Sequence, residues 1–461
     1  MNIDKKFSQI KNAAELSLQE AQHFSDILTE YFRSDRSERF GQYEQDLTKK
    51  LPQMFGFLEF NNLIEFAHRY FMFCRTINPK ENTDSKQKKI SSDVLSPFSK
   101  RLKLILEDQK LLPLDYKPKA KNVILQTRHA QTEGAYAPGK QIFALSKALI
   151  KNGCKVKVIS HGDVDNQFKN LMRIDPNFHV THKRDLTPFE KLLELRAEAT
   201  HFEPSGIFTD EELGVLTAAE LIGLPSKCFL LSAGFYRTPW YTKILLTEEL
   251  MTDELRKDKR FHEIPQALVL ENLAPPVEES KVFDAKNKLR LEKKFILASF
   301  ARYEMFSEDY LHFVNDVLEA IDNSIFILAG HNDQTVAKRI LKKHDSNGRV
   351  RILGPSNISI LGHVCDVFLD TFPTTTGYAA LESFAKGKPV FTLECDNLGN
   401  YRKNRLEELI FKDKSNLVHH LARAANDADY YNTIKLSSLK FIKKVENLEG
   451  LANALMSEIS F

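Results

Sequence analysis

The sequence lacks several features that would place it in a common class of proteins. No apolar run approaches the roughly 18 residues of a membrane-spanning helix, and the first residues, MNIDKKFSQIKNAAELSL, contain no apolar signal-peptide core. The five cysteines are scattered and form no CxxC pair, which argues against a disulfide framework and against a zinc site. We therefore predict a cytoplasmic protein with reduced thiols and no membrane span.

An excess of charge of one sign is also missing. Lysine plus arginine number 65 and aspartate plus glutamate 62, a net charge of +3 over 461 residues, which is too balanced to indicate a nucleic-acid partner. No DxD motif directly precedes a likely donor loop, and no His/Asp cluster has the spacing of metal ligands, so we expect no metal cofactor. The hydrophobic content of 42% is enough for two or three domains with their own cores.

The N-terminal part, residues 1–115, is predicted to be an all-helical domain. Apolar side chains recur at helical spacing over 13–32, and a second, aromatic-rich stripe covers 58–73. The absence of a 34-residue repeat excludes a tetratricopeptide array. This domain is either a platform for a protein partner or a cap on the domain that follows, and its polar, lysine-rich stretch 78–99 is predicted to be a flexible linker.

From residue 120 to 275 the pattern changes to that of a first Rossmann-like domain. Apolar strands at Asn122–Thr127 and Lys155–Ser160 flank a helix over Gln141–Lys151, which makes a βαβ unit. His129 follows the first strand, at the edge where ligands meet a parallel sheet, and is a candidate general base or hydroxyl ligand; an ordinary polar residue is the alternative. Glu133 and His161 are candidates of the same sort. Arg237 could meet a phosphate, a sugar or an acidic acceptor, and an ordinary surface arginine is the alternative. All three are therefore candidates for contacting the acceptor or a phosphate.

A second Rossmann-like domain is predicted over 290–445, after a break in the chain at 273–276. Its first strand, Phe295–Phe300, is followed by Arg302. A later buried strand ends at Gly330, which lies at the carboxyl edge where open α/β sheets bind ligands.

The most informative stretch is Cys365–Leu393, which predicts a strand, a loop, a helix and a second strand. The free N–H groups and partial positive charge at a helix N-terminus form an anion site, to which hydroxyl groups add donors. About one turn into the helix, Glu382 is placed to accept hydrogen bonds from a ribose, so the two features together indicate a nucleotide; an ordinary βαβ unit capped by threonine is the alternative. The residues that lead into the helix are Thr374, Thr375, Thr376, Gly377 and Tyr378.

The segment DVFLDTFP in this stretch resembles the nucleotide-binding segment of GT-B glycosyltransferases of the O-GlcNAc transferase family, which includes bacterial N-glucosyltransferases that modify adhesins. The segment ALESFAKGKPV is similar to the LLEAMACGVPV of the retaining GT4 family, whose glutamate binds the donor ribose and matches Glu382. The sequence also departs from both patterns. The threonines precede Gly377 instead of following it, and the GT4 acid eight positions before the glutamate is Thr374 here.

The resemblance also implies roles for residues elsewhere in the second domain. Arg302 matches the GT4 arginine that holds the donor diphosphate, and we assign it to catalysis together with His129. The turn from Leu353 to Ile358 resembles the element that flanks the uracil ring, and Gly330 would line the same donor site.

One positive charge that both families provide is missing near this arginine. Their lysine positions are occupied by Met305 and Ser307 here. Candidates to replace the charge are Lys386, Lys388 and Arg402, the last of these in a candidate second phosphate loop.

These observations predict an α/β protein of the GT-B class, with two Rossmann-like domains, 120–275 and 290–445, facing a cleft. The helical domain 1–115 precedes them, and a C-terminal helix at 446–461 is expected to cross back to the first domain. The resemblance implies metal-independent transfer of a hexose, with glucose as a guess, from a UDP-sugar to a protein or a protein-linked sugar such as that of a bacterial adhesin, without a further cofactor. Two alternatives remain: a retaining GT4-like transferase that extends a saccharide, and a GT-B-shaped binding or scaffold protein without transferase activity.

Overall fold

A computed structural model describes most of the chain after residue 95. The described residues are 61, 63, 64, 96–111, 117–132, 137–210, 228–231, 243–247, 251, 256, 257, 259, 261–266, 268–292 and 294–459. Most of the predicted helical domain 1–115 lies outside the described residues; the part within them includes helix α1 (Ser96–Asp108). Within these ranges, no helix is both long enough and apolar enough to cross a membrane.

The first αβ domain is built on a parallel sheet of seven strands. In chain order these are β1 (Asn122–Thr127), β2 (Lys155–Ser160), β3 (Phe178–His182), β4 (Gly206–Thr209), β5 (Cys228–Leu231), β6 (Lys243–Thr247) and β7 (Phe261–Ile264). They lie in the order β3-β2-β1-β4-β5-β6-β7, so the direction of winding reverses between β1 and β4. Both of these strands are buried at every residue, as expected for the interior of a parallel sheet. The strands predicted at Asn122–Thr127 and Lys155–Ser160 are confirmed with the same bounds.

Three helices of this domain are α2 (Ala137–Lys151), α3 (Asn166–Ile174) and α4 (Pro188–Phe202). Local sequence fixes where two of them begin. Asp165 caps α3 by accepting from the backbone N–H groups of its first turn. A reciprocal capping box between Thr187 and Glu190, with Pro188 at the first helical position, starts α4.

The second αβ domain is built on a parallel sheet of six strands. These are β8 (Phe295–Phe300), β9 (Ser324–Ala329), β10 (Val350–Leu353), β11 (Val367–Leu369), β12 (Val390–Leu393) and β13 (Ile410–Phe411). Their order is β10-β9-β8-β11-β12-β13, so the winding reverses between β8 and β11.

The helices from the interdomain segment onward are α5 (Leu270–Leu273), α6 (Glu279–Leu289), α7 (Glu308–Ala320), α8 (Thr335–Ile340), α9 (Lys342–Ser346), α10 (Ile358–Val364), α11 (Tyr378–Ala385), α12 (Lys414–Asn426), α13 (Ala428–Val445) and α14 (Leu448–Ile459). Short 3-10 turns cover Tyr303–Met305, Asp396–Asn404 and Glu407–Leu409.

The last helix, α14, packs on the first domain. Its buried side chains Leu451, Leu455 and Ile459 belong to the same apolar core as the interior residues of β1, β2 and α2. Glu458 also lies 2.9 Å from Nδ1 of His262 on β7. The end of the chain therefore ties the second domain back to the first.

Candidate active site

The candidate site lies where the strand order of the second sheet reverses. β8 and β11 are paired neighbours, with Leu297 opposite Val367, and the sheet grows outward from them on both sides. In open parallel sheets such a switch point leaves a crevice outside the carboxyl ends of the strands, where ligands bind. β8 leads directly into Arg302, and β11 leads into residues 370–377, which we call the threonine loop.

The threonine loop is shaped by the buried carboxylate of Asp370. Its Oδ1 accepts hydrogen bonds from the backbone N–H of Thr371 at 3.0 Å and from the backbone N–H and hydroxyl of Thr376 at 2.8 and 2.7 Å. Its Oδ2 accepts a bond from Nε of Arg405 at 2.9 Å. Sequence reasoning missed Arg405, because it lies in the charged run YRKNRLEEL, where no pattern marks it as buried.

Two further contacts hold the loop, one from outside it and one within it. The carbonyl of Phe372 accepts a hydrogen bond from the hydroxyl of Ser307, which also caps α7. The hydroxyl of Thr371 donates to the carbonyl of Thr374 at 2.5 Å. The Thr374 carbonyl therefore helps to fix the conformation of the loop. Its side chain is exposed, unlike those of Thr375 and Thr376.

Thr375 and the start of α11 leave polar groups unused. The Thr375 side chain is buried at 5% exposure, yet within the described part of the chain its hydroxyl has no hydrogen-bond partner. α11 begins after Gly377 without a side-chain cap. A buried hydroxyl without a partner costs free energy, and uncapped N–H groups at a helix start attract anions. This end of the loop thus has a hydroxyl and backbone N–H groups that could donate hydrogen bonds to an anionic ligand.

Arg302 lies beside this loop, at the carboxyl end of β8. Its side chain is exposed, and no hydrogen bond or ion pair to its guanidinium is found among the described residues. Gly330, at the end of β9, packs directly against the backbone just before Arg302. A Cβ on Gly330 would lie 1.7 Å from the carbonyl oxygen of Ala301. Glycine is therefore required there, because any side chain would push the ends of β8 and β9 apart.

The turn predicted to flank a base follows β10 at the same edge. The carbonyl of Leu353 accepts hydrogen bonds from the hydroxyl of Tyr303 at 2.9 Å and from the N–H of Gly330 at 3.3 Å. Ile358 is the first residue of α10, which is capped by the side chain of Asn357. Because the Leu353 oxygen is already engaged, contacts to a base would have to come from the backbone after it.

Glu382 is buried at 5% exposure on α11, and its carboxylate is paired with two lysines. Oε1 accepts a hydrogen bond from Nζ of Lys140, which lies on α2 of the first domain. Oε2 lies 3.8 Å from Nζ of Lys386. Sequence reasoning did not single out Lys140, because the pair joins residues 242 positions apart.

The two lysines proposed to supply the missing positive charge are engaged elsewhere. Nζ of Lys386 donates to the carbonyl of Leu273 at 2.7 Å, and Nζ of Lys388 donates to the carbonyl of His363 at 3.1 Å. Burial lowers the pKa of both ammonium groups. Both side chains therefore serve the packing of α11 and its neighbours.

His129 follows β1 at the carboxyl edge of the first sheet. Its Nδ1 accepts a hydrogen bond from the backbone N–H of Asp163 at 3.2 Å. A neutral imidazole that accepts at Nδ1 carries its proton on Nε2. Of the two roles predicted for His129, hydrogen-bond donor to a ligand fits this tautomer, whereas a general base would need Nε2 unprotonated.

His161 is buried after β2, at 8% exposure. Its Nε2 lies 3.1 Å from Nε2 of Gln126, whose Oε1 accepts a hydrogen bond from the hydroxyl of Thr209. Burial, with a smaller contribution from the nearby charge of Lys191, lowers the pKa of His161 to about 3. The side chain is therefore neutral at physiological pH and brings no positive charge to a phosphate.

The remaining candidates are either paired or outside the described residues. Arg402 donates to Glu394 at 2.5 Å and to Glu407 at 3.0 Å, and the hydrogen bonds to these two carboxylates raise its pKa. Its charge is thus neutralised locally, which weakens its case as a phosphate ligand. Glu133 and Arg237 lie outside the described residues.

No protein-family model matches this chain, and no curated protein sequence is significantly similar to it. Solved structures are similar in fold. A glycosyltransferase from Rickettsia africae has 15% identity and a TM-score of 0.55, covering 74% of this chain and 98% of its own. Anabaena HepE in complex with UDP and glucose has 13% identity and a TM-score of 0.52, covering 74% and 99%.

A mutant of the Thermobaculum terrenum O-GlcNAc transferase extends the similarity over more of the chain. It has 13% identity and a TM-score of 0.53, covering 94% of this chain and 85% of its own. At such low identities these similarities establish architecture. The protein therefore has the predicted α/β GT-B fold, in which two Rossmann-like domains face a cleft.

Proposed function

We propose that this protein is a glycosyltransferase that moves a hexose from a UDP-sugar to a protein or a protein-linked sugar. The observation that carries the proposal is the arrangement around Thr375. Among the residues that the structure describes, the buried hydroxyl of Thr375 has no hydrogen-bond partner, no side chain caps the start of α11, and no group binds the guanidinium of Arg302. All three lie at the switch point of the second sheet. This arrangement suits the diphosphate of a nucleotide sugar.

We propose the following further contacts to the donor. Glu382 accepts hydrogen bonds from the ribose, and the backbone of Leu353 to Ile358 flanks the base. His129 reaches the sugar from the first domain as a donor through Nε2. Thr376 supports the site indirectly, because its hydroxyl is bound to Asp370.

UDP is the proposed nucleotide. HepE, which shares the fold, was solved in complex with UDP and glucose and in complex with UDP-glucose. Donor-binding through Arg302 and a helix start requires no divalent ion to neutralise the leaving diphosphate. We therefore propose that the transfer is metal-independent, and we also propose that it takes place in the cytoplasm. Activity that EDTA abolishes and Mg²⁺ or Mn²⁺ restores would contradict metal independence.

The acceptor has two candidates. A protein or protein-linked sugar is supported by the similarity to an O-GlcNAc transferase over 94% of this chain. A saccharide is supported by the position of Glu382 on α11, which matches the ribose-binding glutamate of the retaining GT4 pattern. Transfer from UDP-glucose to polypeptide and to oligosaccharide acceptors, resolved by mass spectrometry, discriminates between them.

The first experiment is a thermal-shift panel with UDP, GDP, ADP and CMP, each with and without EDTA. A nucleotide at about 100 times its dissociation constant adds roughly 2.7 kcal/mol to the free energy of unfolding. Stabilisation by UDP alone, unchanged by EDTA, is the expected result. Stabilisation by GDP or ADP instead would mean that the donor sugar is carried by that nucleotide and not by UDP. No stabilisation by any nucleotide would favour a GT-B-shaped protein without transferase activity.

A further inference from the structure

A buried ion pair crosses the boundary between the two αβ domains. Nζ of Lys140 on α2 donates to Oε1 of Glu382 on α11. The Lys140 and Glu382 side chains are 3% and 7% exposed. A buried carboxylate needs such a partner, because an isolated charge away from water is strongly destabilised.

The first domain holds Lys140 at a fixed place. It is an early residue of α2, next to Gly139, where a Cβ would lie 2.1 Å from the carbonyl oxygen of Gln131. The start of α2 therefore packs directly against the chain that follows β1, and α14 covers the same helix within the core of the first domain. The ammonium group reaches Glu382 from this rigid base.

Lys386 cannot take over this role. Its Nζ donates to the carbonyls of Leu273 at 2.7 Å and of Glu382 itself at 3.3 Å, and it stays 3.8 Å from Oε2 of Glu382. Lys140 is thus the close partner of the carboxylate, and it occupies Oε1.

We propose that Lys140 is a donor-positioning residue that the first domain contributes to the nucleotide site of the second. By binding Oε1, it holds the Glu382 carboxylate so that Oε2 faces the ribose hydroxyls of a nucleoside diphosphate sugar. Nucleotide affinity then depends on the first domain being docked. This inference rests on the proposed function, since it assigns a partner to the residue that binds the ribose.

The test measures UDP binding by titration calorimetry for wild type, Lys140→Met, Lys140→Arg and a control, Lys147→Met. Lys147 lies on the same helix and pairs with Glu271 at 2.5 Å, with its side chain 29% exposed. We expect Lys140→Met to weaken UDP binding about tenfold, equivalent to roughly 1.4 kcal/mol. Lys140→Arg should retain most of the affinity because it keeps the charge, and Lys147→Met should match wild type.

A double-mutant cycle separates positioning from general damage. Glu382→Gln should also weaken UDP binding, and Lys140→Met combined with Glu382→Gln should be no weaker than Glu382→Gln alone, because Lys140 acts through the carboxylate. If Lys140→Met does not fold, the comparison of the double variant with Glu382→Gln and the affinity of Lys140→Arg decide the question.

The outcomes distinguish this inference from the proposed function. If wild type and Lys140→Met bind UDP equally well, the positioning role of Lys140 is overturned and the proposed function is not. A double variant that loses clearly more affinity than Glu382→Gln would do the same, since Lys140 would then act independently. Wild type that binds no UDP would overturn both proposals together.

Discussion

Arg405 donates from Nε to Oδ2 of Asp370 at 2.9 Å, and the two side chains are 1% and 0% exposed. The pair lies beneath the threonine loop, where Nη2 of Arg405 also donates to the carbonyl of Thr376. The other oxygen of Asp370 binds the backbone of Thr371 and Thr376. One buried ion pair therefore determines the shape of the loop that leads into α11.

Loss of this arginine should strongly destabilise the fold. Arg405→Met leaves Asp370 as a buried carboxylate without its cationic partner, and breaking a buried pair in this way costs about 3–5 kcal/mol. Arg402→Met is the matched control, since Arg402 lies in the preceding turn but is 41% exposed in its pair with Glu394. An exposed pair contributes about 0–1 kcal/mol. Denaturant unfolding measures both, and equal losses would contradict the assigned role of Arg405.

Thr375→Val should separate binding from stability. The Thr375 hydroxyl is buried and has no hydrogen-bond partner among the described residues, so replacing it with a methyl group should leave the free energy of unfolding unchanged or raise it slightly. UDP binding should weaken about threefold to tenfold if the hydroxyl contacts the diphosphate.

The neighbouring substitution Thr376→Val should show the opposite pattern. It removes the hydroxyl bond to Asp370 at 2.7 Å and should lower the free energy of unfolding by about 1–3 kcal/mol. Calorimetric titration and thermal melts on both variants provide the comparison. A loss of stability without any change in UDP affinity for Thr375→Val would argue against an anion site at this turn.

Arg302→Ala should reduce donor turnover. A hydrogen bond to a charged group contributes about 1.5–3 kcal/mol, which corresponds to roughly a 10- to 150-fold loss in kcat/KM for a UDP-sugar. Arg423→Ala is the control, because Arg423 is a half-exposed arginine on α12 of the same domain, paired with Asp427. Release of UDP from the donor measures the effect. Equal activity of the two variants would mean that the diphosphate is held elsewhere.

The buried neutral His161 should make stability fall as the solution is acidified. Its pKa in the folded protein is about 3 because of burial, whereas an unfolded histidine titrates near 6.5. Below pH 6.5 the unfolded state binds a proton that the folded state does not bind, so the free energy of unfolding decreases by up to about 1.4 kcal/mol per pH unit. The decrease should end near pH 3, where the folded protein also binds the proton.

His161→Gln should reduce this slope, whatever its effect on stability at neutral pH. The control is His179→Gln, because His179 is exposed on β3 and should leave the slope as in wild type. Chemical denaturation at a series of pH values between 4 and 7 measures the difference. An unchanged slope in His161→Gln would mean that the imidazole is protonated in the folded protein.

Local sequence predicted the elements and the edge at which the candidate site lies. Apolar runs ended by polar residues marked the strands, and alternation of strands with helices predicted parallel sheets. In a parallel sheet the carboxyl ends of all strands share one edge, so the sequence predicts that Arg302, Gly330 and the threonine loop lie together. The turn into α11 can also be predicted from local residues.

Pairing between distant side chains was decided only by the tertiary structure. Lys140 meets Glu382 across 242 positions and Arg405 meets Asp370 across 35, and neither lysine nor arginine differs in its local pattern from exposed residues of the same type. The same limit applies to Arg402 and His161, because the sequence does not show that Arg402 is paired with two carboxylates or that His161 is buried. The strands and helices could be predicted from the sequence, because periodicity and capping are local properties. Which charges face each other depends on strand order and on how the two domains meet, and these arise only when the whole chain has folded.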